Sequence, residues 1–123
     1  MTVNKIYDLE ERTEKFARNV RLVLSKIEKT VINLDDIKQV IRSSGSVGAN
    51  YTEANDALSD KDFEYRIKVC RKEAKESKYW FSVMLVKESE QKDIDELKQE
   101  SIELMKIFGA ILRNFKNKKT QKI

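Results

Sequence analysis

Proline is absent from all 123 residues of this chain, and glycine occurs only at positions 45, 48 and 109. A helix interior penalises Gly by ~1 kcal/mol and Pro by ~3 kcal/mol relative to Ala, so a chain cleared of both is compatible with long helices. All-β folds need turn punctuation roughly every 8–12 residues, and this chain cannot supply it. What remains is an all-α architecture, and the apolar residues recur in the 3- and 4-residue steps that one buried helix face requires.

Four segments carry that spacing. The first, 8–29, aligns Leu9, Phe16, Val20, Val23, Leu24 and Ile27, with Asp8, Glu10 and Glu11 favouring its positive end. A break at Thr30–Asn33 leads to 34–58, with Asn33 or Asp35 as cap and a face of Ile37, Val40, Ile41, Ser44, Val47, Gly48, Tyr51, Ala54 and Leu58. Ser59 with Asp62 forms a weakened capping box before 60–88, which turns Phe63, Ile67, Cys70, Ala74, Phe81, Met84 and Leu85 inward. Residues 88–92 read as a polar connection, and 93–115 buries Ile94, Leu97, Leu104, Met105, Phe108, Ile111, Leu112 and Phe115. Short connections between such segments predict a single antiparallel up-and-down four-helix bundle over 1–116, followed by a basic disordered tail at 117–123.

Several function classes drop out. There is no His, and Cys70 is alone, so imidazole catalysis, His metal sites and an internal disulfide are excluded. Cys70 reads as a small core residue. No carboxylate pair stands beside a nucleophile, so no catalytic residue, metal ligand or cofactor site is assigned. No stretch approaches the ~20 apolar residues of a membrane span and no leader is visible, which predicts a cytoplasmic protein. The 25 basic and 21 acidic residues give a net charge of +4; with a mean hydropathy of -0.63, most charges are interleaved along helix surfaces.

The run Arg42-Ser43-Ser44-Gly45-Ser46-Val47-Gly48-Ala49-Asn50-Tyr51-Thr52-Glu53-Ala54 is the exception to this helix-friendly chain, because two of the three glycines fall inside a predicted helix. On a helical wheel Ser43, Ser46, Asn50, Glu53 and Ala57 form a second, polar stripe. One reading is that Ser44 and Gly48 allow tight helix–helix approach while Asn50 and Glu53 face water. Another is that the stripe meets a second subunit, or buries Asn50 and Glu53 in a network with Arg66, Arg71, Glu73 or Tyr79 of the third helix. A phosphate cradle requires a strand-to-helix glycine turn, which is missing.

This block, with Lys61-Asp62-Phe63 and then Lys72-Glu73-Ala74-Lys75-Glu76-Ser77-Lys78-Tyr79-Trp80, resembles the 23S ribosomal RNA intervening-sequence proteins. The early Asp8-Leu9-Glu10-Glu11-Arg12-Thr13 and Phe16-Ala17 extend the likeness over nearly the whole chain. The resemblance implies a small bacterial four-helix bundle that assembles into a ring-like homopentamer, with no enzymatic activity. Some members are encoded within insertions in large-subunit rRNA genes. The fold it implies is similar to that of the retroelement accessory protein, a basic pentamer that binds nucleic acid and a reverse transcriptase. Under the resemblance, Ser43, Ser46, Gly48, Asn50, Tyr51, Glu53, Glu73, Tyr79 and Trp80 form a packing and assembly motif. The three aromatics themselves read as core or interface packing and not as base stacking.

A nucleic-acid partner would be held by Lys and Arg. The candidates are Arg12, Lys15, Arg18 and Arg21 on the first helix; Arg66, Lys68, Arg71, Lys72, Lys75 and Lys78 on the third; and Arg113, Lys116, Lys118, Lys119 and Lys122 at the end. Two functions follow as expectations: a non-enzymatic homo-oligomeric bundle that binds RNA or DNA through basic surfaces, or a protein-interaction scaffold with no nucleic-acid role.

Overall fold

The computed structural model describes residues 8–121, with side chains described through Lys118. Four helices run up and down: α1 Leu9–Lys26, α2 Leu34–Asn55, α3 Asp60–Val83 and α4 Glu88–Gln121. Each helix packs mainly on its neighbours in sequence, and α4 returns to meet α1 through a looser seam. No strand occurs among the described residues. The expected apolar faces supply the core, from Phe16, Val20 and Leu24 through Ile37, Val40 and Val47 to Ile67, Cys70, Phe81, Ile94, Leu104 and Phe108.

Two caps sit where the sequence puts them. The Glu11 amide donates to Asp8 Oδ1 at 3.0 Å and the Asp62 amide to Ser59 Oγ at 3.1 Å. Asn33 occupies the cap position of α2 but its side chain works differently. It is buried, its Oδ1 accepts from the Thr30 amide at 2.9 Å, and its Nδ2 donates to the carbonyls of Glu28 at 3.1 Å and Leu85 at 3.0 Å. One amide thereby ties the α1–α2 connection to the α3–α4 connection at the same end of the bundle.

Several boundaries differ from expectation. Helix α1 stops at Lys26, where Ile27 turns extended. Helix α2 stops at Asn55, so Leu58 lies in the connection and is 99% exposed, not on the core face. Helix α3 ends at Val83 because Met84 adopts an extended backbone. Met84 still enters the core, whereas Leu85 turns outward, 67% exposed.

The polar stretch 88–92 is not a connection but the first turn of α4. Its Glu90 carboxylate accepts from the Lys87 and Glu28 amides, both at 3.0 Å. The helix also continues past Phe115 through Gln121, so 117–121 of the expected disordered tail is helical. No Gly or Pro follows Gly109 to stop it, and a lysine-rich end complements the helix dipole. The remaining tail residues, 122 and 123, and residues 1–7 of the expected domain lie outside the described residues.

The α1–α4 seam holds a groove of about 680 Å³ over Phe16, Val23 and Leu97. Arg12 spans it by donating to Glu100 at 2.8 Å and Glu103 at 3.0 Å. Lys87 and Glu28 pair at 2.8 Å where the α1–α2 and α3–α4 connections meet.

Candidate nucleic-acid interface

The polar run lies wholly inside α2, which no glycine interrupts with a positive φ. On the α1 side, a Cβ on Gly48 would stand 3.0 Å from Thr13 Oγ1 and 3.2 Å from Thr13 Cβ, so the missing side chain is what lets the two helices approach. Gly45 leaves room for Arg21, whose Nη2 donates to the Ile41 carbonyl at 3.2 Å.

Facing α3, the stripe forms a connected polar seam. Ser43 and Ser77, both fully buried, share a hydrogen bond of 2.8 Å. Arg66 Nη1 donates to Asn50 Oδ1 at 3.0 Å, Asn50 Nδ2 donates to Ser46 Oγ at 3.0 Å, and Ser46 Oγ donates to Glu73 Oε2 at 3.2 Å. Arg42 completes the seam by pairing with Glu73 at 3.3 Å and with Glu76, which also accepts from Trp80 Nε1 at 3.0 Å.

Burial alone would raise the Glu76 pKa, but hydrogen bonds from Trp80 and Arg42 outweigh it and hold the carboxyl below the usual range. Of the partners expected on the third helix, Arg66 and Glu73 join this seam, whereas Arg71 and Tyr79 are exposed away from it. Glu53 is also exposed and has no ion pair among the described residues. Tyr51 is half-buried against Phe108, with ring centroids 5.8 Å apart.

Cys70 is fully buried beneath the seam, and burial pushes its thiol up to about 12, which removes thiolate chemistry at neutral pH. Among the described residues no group of three or more acidic or Cys side chains is placed to hold a metal ion. No described helix is long and apolar enough to cross a membrane.

The cationic candidates separate into those held by partners around α1 and the α2–α3 seam and those gathered on one groove. Arg12 bridges α1 to α4 as above, Arg18 lies 3.6 Å from Glu14, and Arg21 donates to the Ala17 and Ile41 carbonyls. Arg66 is held by Asn50 and lies 3.8 Å from Asp62. Lys15 faces the α1–α4 groove among Asp8, Glu11 and Glu96.

By contrast, Lys68, Arg71, Lys72 and Lys75 of α3 converge with Arg113 and Lys116 of α4 on one groove of about 500 Å³, floored by Gly109 and Leu112. No acidic side chain lines it. Lys68 pairs with Glu64 at 3.5 Å, but Arg71, Lys75 and Arg113 have no ion-pair partner among the described residues. Lys118 is exposed in the last turns of α4, while the side chain of Lys119 and all of Lys122 fall outside the description. Lys78 is half-buried. Of the motif aromatics, Trp80 is half-buried, whereas Tyr79 is more than half exposed.

The family model of the 23S rRNA-intervening sequence proteins matches residues 5–110, which include both the polar seam and most of the basic groove. The chain belongs to that family. A solved member of the S23 ribosomal protein family from Bacteroides thetaiotaomicron VPI-5482, a protein of unknown function, is similar to it. The TM-score is 0.68 at 27% identity, covering 84% of this chain and 96% of the other. No functionally curated protein matches the sequence. For this member of the 23S rRNA-intervening sequence family, the matched region stops inside α4, so Arg113 and Lys116 of the basic groove lie beyond it.

Proposed function

We propose that this protein is a non-enzymatic nucleic-acid-binding bundle whose contact surface is the α3–α4 groove, and that RNA is its partner. The observation that carries the reading is the convergence of six cations from two helices on a cleft with no acidic wall. Interleaved charge on a solvated helix face would normally be neutralised within a turn, as Arg18 is by Glu14. Here Glu64 pairs in that way with Lys68, whereas Glu73 and Glu76 are drawn across to Arg42 on the opposite flank.

Phosphate backbone contacts would dominate such binding and make it steeply salt-dependent. With about four phosphates neutralised, affinity should fall on the order of 50- to 150-fold between 50 and 200 mM salt. Fluorescence anisotropy with a labelled RNA tests this. Reversal of Lys72, Lys75 and Arg113 to Glu should abolish binding, whereas Lys15→Glu on the α1 side should leave it within about twofold. Undiminished binding by the triple variant, or no RNA binding by the native chain at low salt, would overturn the reading.

Self-association is a second reading, favoured by a different feature. Ile32, Leu85 and Val86 line a shallow depression at the end where the two connections meet, with Val31 and Leu34 exposed nearby in sequence. Apolar clusters of that kind are characteristic of subunit or protein-partner contacts. In a homo-oligomer the basic grooves would repeat, and a long RNA could engage several at once. The alternative, a scaffold that uses this end for another protein and binds no RNA, would retain assembly while failing the anisotropy test.

A further inference from the structure

We propose that the outer face of α3 is built for single-stranded nucleic acid, with Tyr65 and Tyr79 as base-stacking platforms on either side of Lys68, Lys72 and Lys75. This rests on the nucleic-acid reading of the same surface and names the class of strand it takes.

At 100° per residue, Lys61, Tyr65, Lys68, Lys72, Lys75 and Tyr79 fall within about 80° of one another on the helix. All six are exposed. Most acids of the helix lie off this row and have partners: Asp62 near Arg66, Glu64 on Lys68, and Glu73 and Glu76 on Arg42. The row itself carries only cations and aromatics, with Lys68 paired to Glu64 at its flank, and its Lys68, Lys72 and Lys75 form the outer lip of the basic groove.

Neither tyrosine is covered by the bundle. Tyr65 is 58% and Tyr79 57% exposed, whereas the other motif aromatics turn toward the bundle. Each ring is nonetheless positioned by a neighbour. Trp80 stands edge-to-face against Tyr79 at 5.1 Å between centroids, and the Arg66 guanidinium carbon lies 5.8 Å from the Tyr65 centroid. A held, solvent-facing ring loses little freedom when a base stacks on it.

The fourteen-residue separation of the tyrosines places them about 21 Å apart along α3, with Lys68, Lys72 and Lys75 between. A single strand could lay phosphates along the lysines and offer unstacked bases at both ends. A duplex keeps its bases stacked internally and can use only the lysines.

Anisotropy of the full chain with fluorescein-labelled 12-nucleotide oligouridine and with a 12-base-pair RNA duplex, in 50 mM salt, tests the assignment. The native chain should bind oligouridine at least as tightly as the duplex, despite the lower charge density of the single strand. Tyr65→Ala and Tyr79→Ala should each weaken oligouridine binding about tenfold and leave duplex binding within about twofold. Tyr→Phe at either site should retain binding, because the ring is what stacks. Tyr→Leu keeps apolar bulk and should fail like Ala, which separates stacking from any loss of fold.

Unchanged oligouridine affinity in the double Ala variant, or an equal loss on the duplex, would overturn the assignment. Binding of duplex alone would also overturn it while leaving the nucleic-acid reading intact. Binding of neither RNA would remove both.

Discussion

At Gly48 a methyl group would meet the body of Thr13, including its backbone carbonyl carbon at 3.5 Å, and neither helix can yield without losing the contact. Gly48→Ala should therefore destabilise the protein by about 1–2 kcal/mol, an overpacking cost that exceeds the ~1 kcal/mol gain in helix propensity. The other two glycines should behave differently. At Gly45 the nearest neighbour is the exposed end of Arg21, which can swing aside at the expense of one hydrogen bond, so Ala should be neutral within about 0.5 kcal/mol.

At Gly109 the nearest atom is Arg113 Nη1 at 3.5 Å, ordinary contact, and Ala should stabilise by about 0.5–1 kcal/mol. Thermal melts of the three single variants check this order. The sequence made the cost of glycine inside α2 visible, and with it the need for close approach. It could not distinguish Gly48, pressed against a buried threonine, from Gly45, which accommodates a flexible arginine, because both lie on the same three-residue step.

The α2–α3 seam is the element in which charge and packing are most closely coupled. Because the folded-state pKa of Glu76 is lowered, its pairing contributes stability above the ordinary carboxylate range, and that contribution is lost as pH falls through the folded value. Glu76→Gln should cost about 1 kcal/mol at pH 7, allowing for solvent screening at the half-exposed Arg42. The difference from the native protein should narrow progressively as pH falls below the ordinary carboxylate range, which denaturant titrations across a pH series would reveal. A gap that did not change with pH would point to packing of the side chain and not to its charge.

The seam itself was partly legible. A polar stripe on α2 with acids and arginines at matching positions on α3 identifies Asn50, Arg66 and Glu73. Whether Glu53 joins depends on where α2 ends, and a helix that stops at Asn55 leaves Glu53 at the solvent edge. Asn33 shows the opposite limit. Its amide reaches Leu85, 52 residues away, and no local pattern encodes that bond.

For the molecule as a whole, apolar spacing sufficed to count the helices and set their directions, since each needs only its own face. The basic groove was not legible, because Lys72 and Arg113 become neighbours only through the register of α3 against α4. Polarity also misled at 88–92, where a charged stretch was a helix start stabilised by Glu90.

The last turns of α4 lie past the final core layer, in which Leu112 is buried and Phe115 meets Phe63 at a tilt, with ring centroids 5.3 Å apart. Truncation after Asn117 removes three lysines and takes the net charge from +4 to +1. The melting temperature should shift by less than about 2 °C, because little buried surface is lost. The salt slope of RNA binding should become shallower by at most about two to three units, one contribution per lysine. A collapse in melting temperature would show that these turns support the bundle.

The bond from Asn33 to Leu85 also bears on the order in which the chain finds its shape. The connections at 27–33, 56–59 and 84–87 are short, so three of the four helix seams join consecutive segments and require little loop closure. Each hairpin can zip locally, on the fast side of the range for domains of this size. The amide of Asn33 can be satisfied only once the third connection has arrived, and Arg12 can find Glu100 only once α4 has docked. Those two long-range polar contacts act as late checks on a structure whose earlier steps are almost entirely local.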